Sequence, residues 1–191
     1  EDVRARSHRT PVSVRLNEQR VGRNLVVDTL VRKSEGNFMY LHHVLGELER
    51  SDLRIEDAFE LPQGLRAYYR GHWAKMMRSQ AESAEATERI VCILGAAKDA
   101  ISLEEIAEFA HMEAACVRRV LHCWREFLYE ERSTEAIRYR VYHTAFRDFL
   151  KEEVDPGLKR YHRMIADTAL AKVADRQRNA DLQKRGRSRV R

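Results

Sequence analysis

Cysteine, proline and glycine are all scarce in this chain of 191 residues, with 3, 3 and 8 copies. Cys92, Cys116 and Cys123 make an odd set, which excludes the disulfide framework of a small secreted domain. Cys92 and Cys116 fall at apolar helical positions and read as reduced core thiols of a cytosolic protein. So little proline and glycine leaves few long loops, so helix should dominate. No apolar run approaches the roughly 18 residues of a membrane span, and no signal-peptide pattern is present. The first residue is Glu1 rather than Met, which reads as a piece cut from a longer protein.

Motifs with known chemistry are missing as well. There is no G-x-x-x-x-G-K-[ST], no G-x-G-x-x-G and no H-E-x-x-H, and no G-x-S-x-G elbow. The chain therefore lacks its own phosphate cradle and nucleophile site, and it reads as not itself an enzyme. His111, Cys116, His122 and Cys123 come nearest to a metal-ligand set. Their spacing holds no C-x-x-C pair and Cys116 belongs near the core face, so no metal is expected.

What is present is enough apolar residue, 43%, to bury a core, and a net charge of +5 that is unevenly spread. Residues 1–35 carry +3, residues 36–87 carry −2, residues 88–150 carry −2 and residues 151–191 carry +6. The basic character belongs to the two ends.

Along the chain, Val12, Val14 and Leu16 alternate with polar residues as a short strand. A helix is expected over residues 22–33 with Leu25, Val26, Leu30 and Val31 buried. Gly36 is placed to end it in a left-handed conformation, and Asn37 to cap the next helix. There Phe38, Leu41, Leu45 and Leu48 form one apolar stripe. His42, His43 and His72 read as surface or boundary residues. Leu61-Pro62-Gln63-Gly64-Leu65 punctuates the chain, and Leu65, Tyr68, Tyr69, Trp73 and Met76 mark a connecting helix. Residues 79–86 look like a break.

From Thr87 the order is helix, strand, helix, helix, strand, strand. Ile90, Val91, Ile93, Leu94 and Ala97 carry the first helix. Ala100-Ile101-Ser102 is extended. Ser102 and Glu105 form a capping box for a helix burying Leu103, Ile106 and Ala107. Val117, Val120, Leu121, Trp124 and Leu128 carry the third helix, and two strands pair around residues 132–136. That order is a winged helix-turn-helix. Asp155-Pro156 opens a further helix, followed by a polar, basic and frayed stretch from Arg176.

The rest of the chain reads as packing around residues 137–150. Ile137, Tyr139, Val141 and His143 alternate as a half-buried strand. Phe146, Phe149 and Leu150 then have helical spacing, with Thr144 as cap. A histidine thus sits where a strand turns into a helix.

A winged helix invites a DNA reading, with Arg118, Arg119, His122 and Arg125 on the outward side of its third helix. The charge weighs against it. Residues 88–150 are net −2, with Glu113, Glu126, Glu130, Glu131 and Glu135 around helix and wing, whereas a DNA binder gathers positive charge on its docking face.

Three segments together resemble one family, the NACHT-type STAND signal-transduction NTPases. Lys33-Ser34-Glu35-Gly36-Asn37-Phe38-Met39-Tyr40-Leu41 resembles the "SEGNFLYL" stretch of that family's first helical domain. Leu61-Pro62-Gln63-Gly64-Leu65, with Tyr69 and Trp73, resembles the connector after it. Tyr142-His143-Thr144-Ala145-Phe146-Arg147-Asp148-Phe149-Leu150 resembles its "HxxFxxFL" winged-helix segment. The resemblance covers roughly residues 25–172.

It implies a cytoplasmic regulatory piece that closes over ADP or ATP held by an upstream nucleotide-binding domain, and that opens to let the protein form homo-oligomers. His143 matches the winged-helix histidine that reaches the ADP β-phosphate. Phe38 stands where related NTPases often place a proline against the adenine. The P-loop and the acidic magnesium-binding strand are absent, so the chain alone should not hydrolyse ATP. The expected architecture is mainly α: residues 1–17 as the torn edge of an upstream domain, a helical bundle and connector over 18–78, a winged helix-turn-helix with a small β wing over 87–153, and a further helix with a basic tail over 154–191. The alternative is a winged-helix DNA-binding regulator.

Overall fold

The computed structural model describes residues 22–50, 53–79, 83–134 and 136–188. The strand expected at residues 12–16 lies outside them. The fold is mainly helical with one small antiparallel sheet, and the chain divides at Met76/Met77 into two compact units.

The first unit begins with α1, Arg23–Ser34. Val26, Thr29 and Leu30 face inward, whereas Leu25 and Val31, expected inside, are each 58% exposed. Apolar residues surround this helix, so their spacing alone did not choose a face. Glu35 and Gly36 both adopt left-handed backbone, at φ 52° and 75°, and reverse the chain. Asn37 caps α2, Phe38–Arg50: its Oδ1 accepts from the N–H groups of Met39 and Tyr40 at 2.9 and 3.3 Å.

On α2 the expected stripe holds at Leu48, half-holds at Leu41 and is corrected at Phe38 and Leu45. Met39, Tyr40, His43, Val44 and Leu48 face inward, while Phe38 is 76% and Leu45 42% exposed. A short 3-10 turn, Glu56–Phe59, leads to α3, Leu65–Ser79.

In the second unit α4 spans Ala84–Ala96, so the break is shorter than residues 79–86. Every residue from Ile90 to Ala97 is buried. A helix apolar on all sides is a central helix; α4 is packed on by three helices and by the sheet. Strand β1, Ile101–Ser102, leads into α5, Leu103–Ala110. The expected capping box is present, with Ser102 N–H to Glu105 Oε2 at 2.8 Å and Glu105 N–H to Ser102 Oγ at 3.2 Å. Ile106 and Ala110 carry the buried face, while Leu103 and Ala107 are half-buried.

Helix α6, Ala114–Cys123, buries Val117, Val120 and Leu121. It stops before Leu128: a 3-10 turn, Arg125–Phe127, intervenes and Leu128 begins β2. Strand β2, Leu128–Arg132, pairs with β3, Ile137–Val141, and β3 also pairs with β1, giving sheet order β1-β3-β2. This is a winged-helix-like arrangement. After β3 come α7, Thr144–Phe149, a wide turn, Leu150–Val154, and a 3-10 turn, Pro156–Leu158. Pro156 therefore opens a short turn rather than the long helix, and Gly157 at φ 70° separates the two.

The long helix is α8, Lys159–Ser188. It continues through the stretch expected to fray. Its start is covered, with Tyr161 buried, whereas Leu170 and Val173 are exposed. No described helix is long and apolar enough to cross a membrane.

Candidate functional site

β3 is the middle strand of the sheet, so its end is held from both sides. Beyond Val141, the Tyr142 N–H donates to Phe127 O at 2.8 Å. His143 is extended, at φ −132° and ψ 143°, and it, not Thr144, caps α7. Its Nδ1 accepts from the Ala145 N–H at 3.1 Å, and its carbonyl accepts from Phe146 at 3.1 Å. The imidazole replaces the hydroxyl expected of Thr144 because β3 ends at Val141, two residues before the alternation implied, and α7 already begins at Thr144.

Below the junction lies an aromatic cluster. Phe146 stacks on Phe127 with centroids 4.7 Å apart, and Trp124 and Phe149 lie 5.9 and 6.0 Å from it. All four are buried. Arg147 donates to Ala97 O at 3.1 Å, tying α7 to the end of α4.

This geometry decides the tautomer. A neutral imidazole has one donor and one acceptor nitrogen. Nδ1 is taken as acceptor by the cap, so Nε2 carries the proton. Among the described residues Nε2 has no hydrogen-bond partner, and the ring is half-buried. His143 is thus a donor held in place by the backbone it caps. An alternative role, a histidine satisfied by a backbone carbonyl, is not what forms here.

Phe38 belongs to the first unit and His143 to the second. Phe38 is the first residue of α2, with its ring in solvent rather than in the core. The two motifs of the first unit are joined directly. Lys33 Nζ donates to Leu61 O, the Gly64 N–H to Lys33 O at 2.8 Å, Gln63 Nε2 to Glu35 Oε1 at 2.9 Å, and Tyr40 O–H to Pro62 O at 2.7 Å. Residues 33–41 and 61–65 therefore form one structure, which their separation in sequence did not reveal.

A polar ladder between α2 and α3 was missed. His43, expected at the surface, is buried and stacks on Tyr68 with centroids 5.6 Å apart. Tyr68 O–H donates to Glu47 Oε1 at 2.6 Å, and His72 Nδ1 lies 3.7 Å from the same oxygen. That last distance is a charge contact rather than a hydrogen bond. Burial alone raises the Glu47 carboxyl. Polar contacts from His72 and Tyr68, with the charges of His72 and Lys75, outweigh burial and hold it below its ordinary value. Burial, helped by the Glu47 charge, pushes the Tyr40 hydroxyl up to about 12. A cavity of about 160 Å³ lies alongside, lined by Glu47, Tyr68, His72 and Lys75 with Leu61 and Pro62. The signal available was two i,i+4 pairs, His43 with Glu47 and Tyr68 with His72, on consecutive helices.

Among the described residues His111, Cys116, His122 and Cys123 do not converge on a common metal position. Cys92 is fully buried; burial first, then the Glu88 and Asp155 charges, push its thiol up, which leaves it unreactive. Arg118, Arg119, His122 and Arg125 are all exposed. No family model, no curated protein and no solved structure matches this chain.

Proposed function

We propose that this chain is the helical and winged-helix regulatory portion of a cytoplasmic switch of the NACHT-type STAND class. It closes over ADP held by an upstream nucleotide-binding domain, and exchange for ATP opens it for self-assembly. The observation that carries the reading is the Ala145 N–H on His143 Nδ1, 3.1 Å away. It leaves Nε2–H as a fixed donor at the end of a strand, suited to a phosphate oxygen. The hydrogen bonds that join residues 33–41 to residues 61–65 support the reading further, since they make one structure of the two other motifs it rests on.

Bound nucleotide supplies the anionic oxygen; the chain's own part is to orient the donor. Such a contact exists only in the closed arrangement, so it biases a two-state hinge by its differential free energy. A hydrogen bond to a charged group contributes about 1.5–3 kcal/mol, roughly 10- to 160-fold in the ratio of closed to open states. Phe38, uncovered at the start of α2, offers a ring for the base. Hydrolysis belongs to the upstream domain, because this chain has no phosphate cradle.

The coding sequence before Glu1 gives the first test: a P-loop followed by an apolar strand ending in acidic residues is expected, and its absence overturns the reading. In the protein carrying that domain, His143→Asp keeps a cap acceptor but removes the donor. It should speed ADP release and favour the open oligomer. His143→Ala, which also removes the cap, should do the same at lower stability. An unchanged ADP off-rate in His143→Asp overturns the proposal and leaves a plain interaction scaffold.

A further inference from the structure

The cations of the sheet and wing are held by carboxylates, whereas those on α6 are not. On the wing, Arg132 pairs with Glu130 at 3.0 Å, Arg140 with Glu131 at 2.7 Å and Arg138 with Glu105 at 3.3 Å. Arg140 also lies over the Tyr129 ring, 4.9 Å from its centroid. Arg89 is taken by Glu85 and Lys172 by Glu108. On α6 and the turn after it the pattern reverses. Arg118, Arg119, His122 and Arg125 are exposed, and among the described residues none of their side chains has a hydrogen bond or an ion pair. The net −2 of residues 88–150 hides this sorting: three of the acids are matched by wing and sheet arginines. Among the described residues, carboxylates close to the strip include Glu113 at the start of α6, Glu104, which shares the surroundings of Tyr139 with Arg118, and half-buried Glu126.

We infer that this face of α6 binds duplex DNA, with Arg118, Arg119 and Arg125 meeting phosphates or guanine edges in the major groove and His122 between them. The inference goes beyond the switch reading and does not rest on it. Four observations favour DNA. Helix α6 is the second helix of a helix-turn-helix, the element that enters the groove in that arrangement. Val117, Val120 and Leu121 bury its opposite side, so the strip is held on a rigid element. An α-helix with its side chains is about 10–12 Å across, which fits a groove about 12 Å wide. Ala114 and Ala115, exposed at the start of the helix, let its backbone approach the groove floor. An acidic polypeptide fits less well, because the strip offers no aliphatic or aromatic anchor of the kind that dominates protein interfaces.

The test is fluorescence anisotropy of the full chain with a labelled duplex of about 20 base pairs containing G·C steps, a length that spans about two turns. Three cation–phosphate contacts weaken binding about 40-fold between about 50 and about 200 mM salt; removing two leaves about 3-fold. Arg118→Ala with Arg119→Ala should produce that flattening. Both side chains are exposed, so the fold should survive, and circular dichroism checks it. The Lys pair at the same positions should keep the salt dependence and lose preference for G·C, since lysine cannot make the bidentate contact. Arg176→Ala with Arg178→Ala, on exposed α8, should leave the difference between wild type and the α6 variant unchanged. The inference is overturned by no binding at about 50 mM salt, by equal salt dependence in wild type and the α6 double variant, by loss of binding confined to the α8 variant, or by capture of polyglutamate where the duplex is refused.

Discussion

The two units are stabilised by different means. In the first, α2 and α3 meet through Tyr40, His43, Glu47, Tyr68, Tyr69 and His72, a layer in which hydrogen bonds and ring contacts coincide. In the second, α4 is apolar on every side and the sheet end rests on Trp124, Phe127, Phe146 and Phe149. Apolar contact is non-directional, so the second core tolerates a change of partner but not a loss of volume. A buried polar layer depends on each donor finding its acceptor, so the first core tolerates little change of chemistry. The candidate histidine lies above the dry core, where its position is set by packing from below and a backbone cap from above.

The largest expected effect comes from hollowing the dry core. Phe146→Ala removes the ring at the centre of the stack and should cost about 3–5 kcal/mol. Denaturant unfolding followed by Trp124 fluorescence in a Trp73→Phe background reports on the second unit, since the chain holds only two tryptophans. A loss below about 1 kcal/mol, within the range of ordinary surface substitutions and small repacking, would mean that the cluster is not the support of the His143 junction.

The polar layer should respond to acid instead. The Glu47 carboxyl is held below its ordinary value in the folded state. Its contribution is therefore complete above the unfolded carboxyl value of about 4.3 and is lost as pH falls through the lower folded value. Amide exchange in α2 and α3 should accelerate over that acid window. In Glu47→Gln, which cannot titrate, that part of the pH dependence should vanish, with a stability loss of about 1–3 kcal/mol at neutral pH from the weakened contacts to Tyr68 and His72. An identical acid profile in wild type and Glu47→Gln would assign the sensitivity to other carboxyls.

The same contrast explains what could be read from the sequence. The second unit was legible almost throughout because its face is chosen by apolar burial. The Ser102–Glu105 box and the Val117–Val120–Leu121 face stand where the sequence puts them. The largest departure is α8, helical through the stretch expected to fray; the others are local, a helix ended by a 3-10 turn before Leu128, a strand that stops at Val141, and a cap supplied by His143 rather than Thr144. Either residue can cap; which one does depends on where the strand pairing ends. In the first unit the helices and Asn37 were legible, but the inward face of α2 was not. An apolar template selects Phe38, Leu41, Leu45 and Leu48. The structure keeps Leu48 of that stripe inside and turns Tyr40, His43 and half-buried Glu47 inward with it, because α3 and residues 61–64 supply their partners. Those partners are about 20 residues or more away, beyond the reach of any local pattern.

The smallest expected effect tests that reversal. If the inward face of α2 is that of Tyr40, His43, Val44 and Leu48, Phe38→Ser and Leu45→Ser change exposed side chains and should each alter stability by no more than about 0.5 kcal/mol. Val44→Ala, on the buried face, removes two methyl groups and should cost about 1–2 kcal/mol, given about 0.8 kcal/mol for each buried carbon. Thermal unfolding of the three variants compares them directly. The order of effects matters more than their size. A larger loss for Leu45→Ser than for Val44→Ala would rotate α2 back to its apolar stripe, bury Phe38 and take the exposed ring away from the proposed nucleotide contact. The order expected from the structure keeps that ring available, and makes Phe38→Ser a substitution whose effect on nucleotide affinity can be measured without a confounding loss of fold.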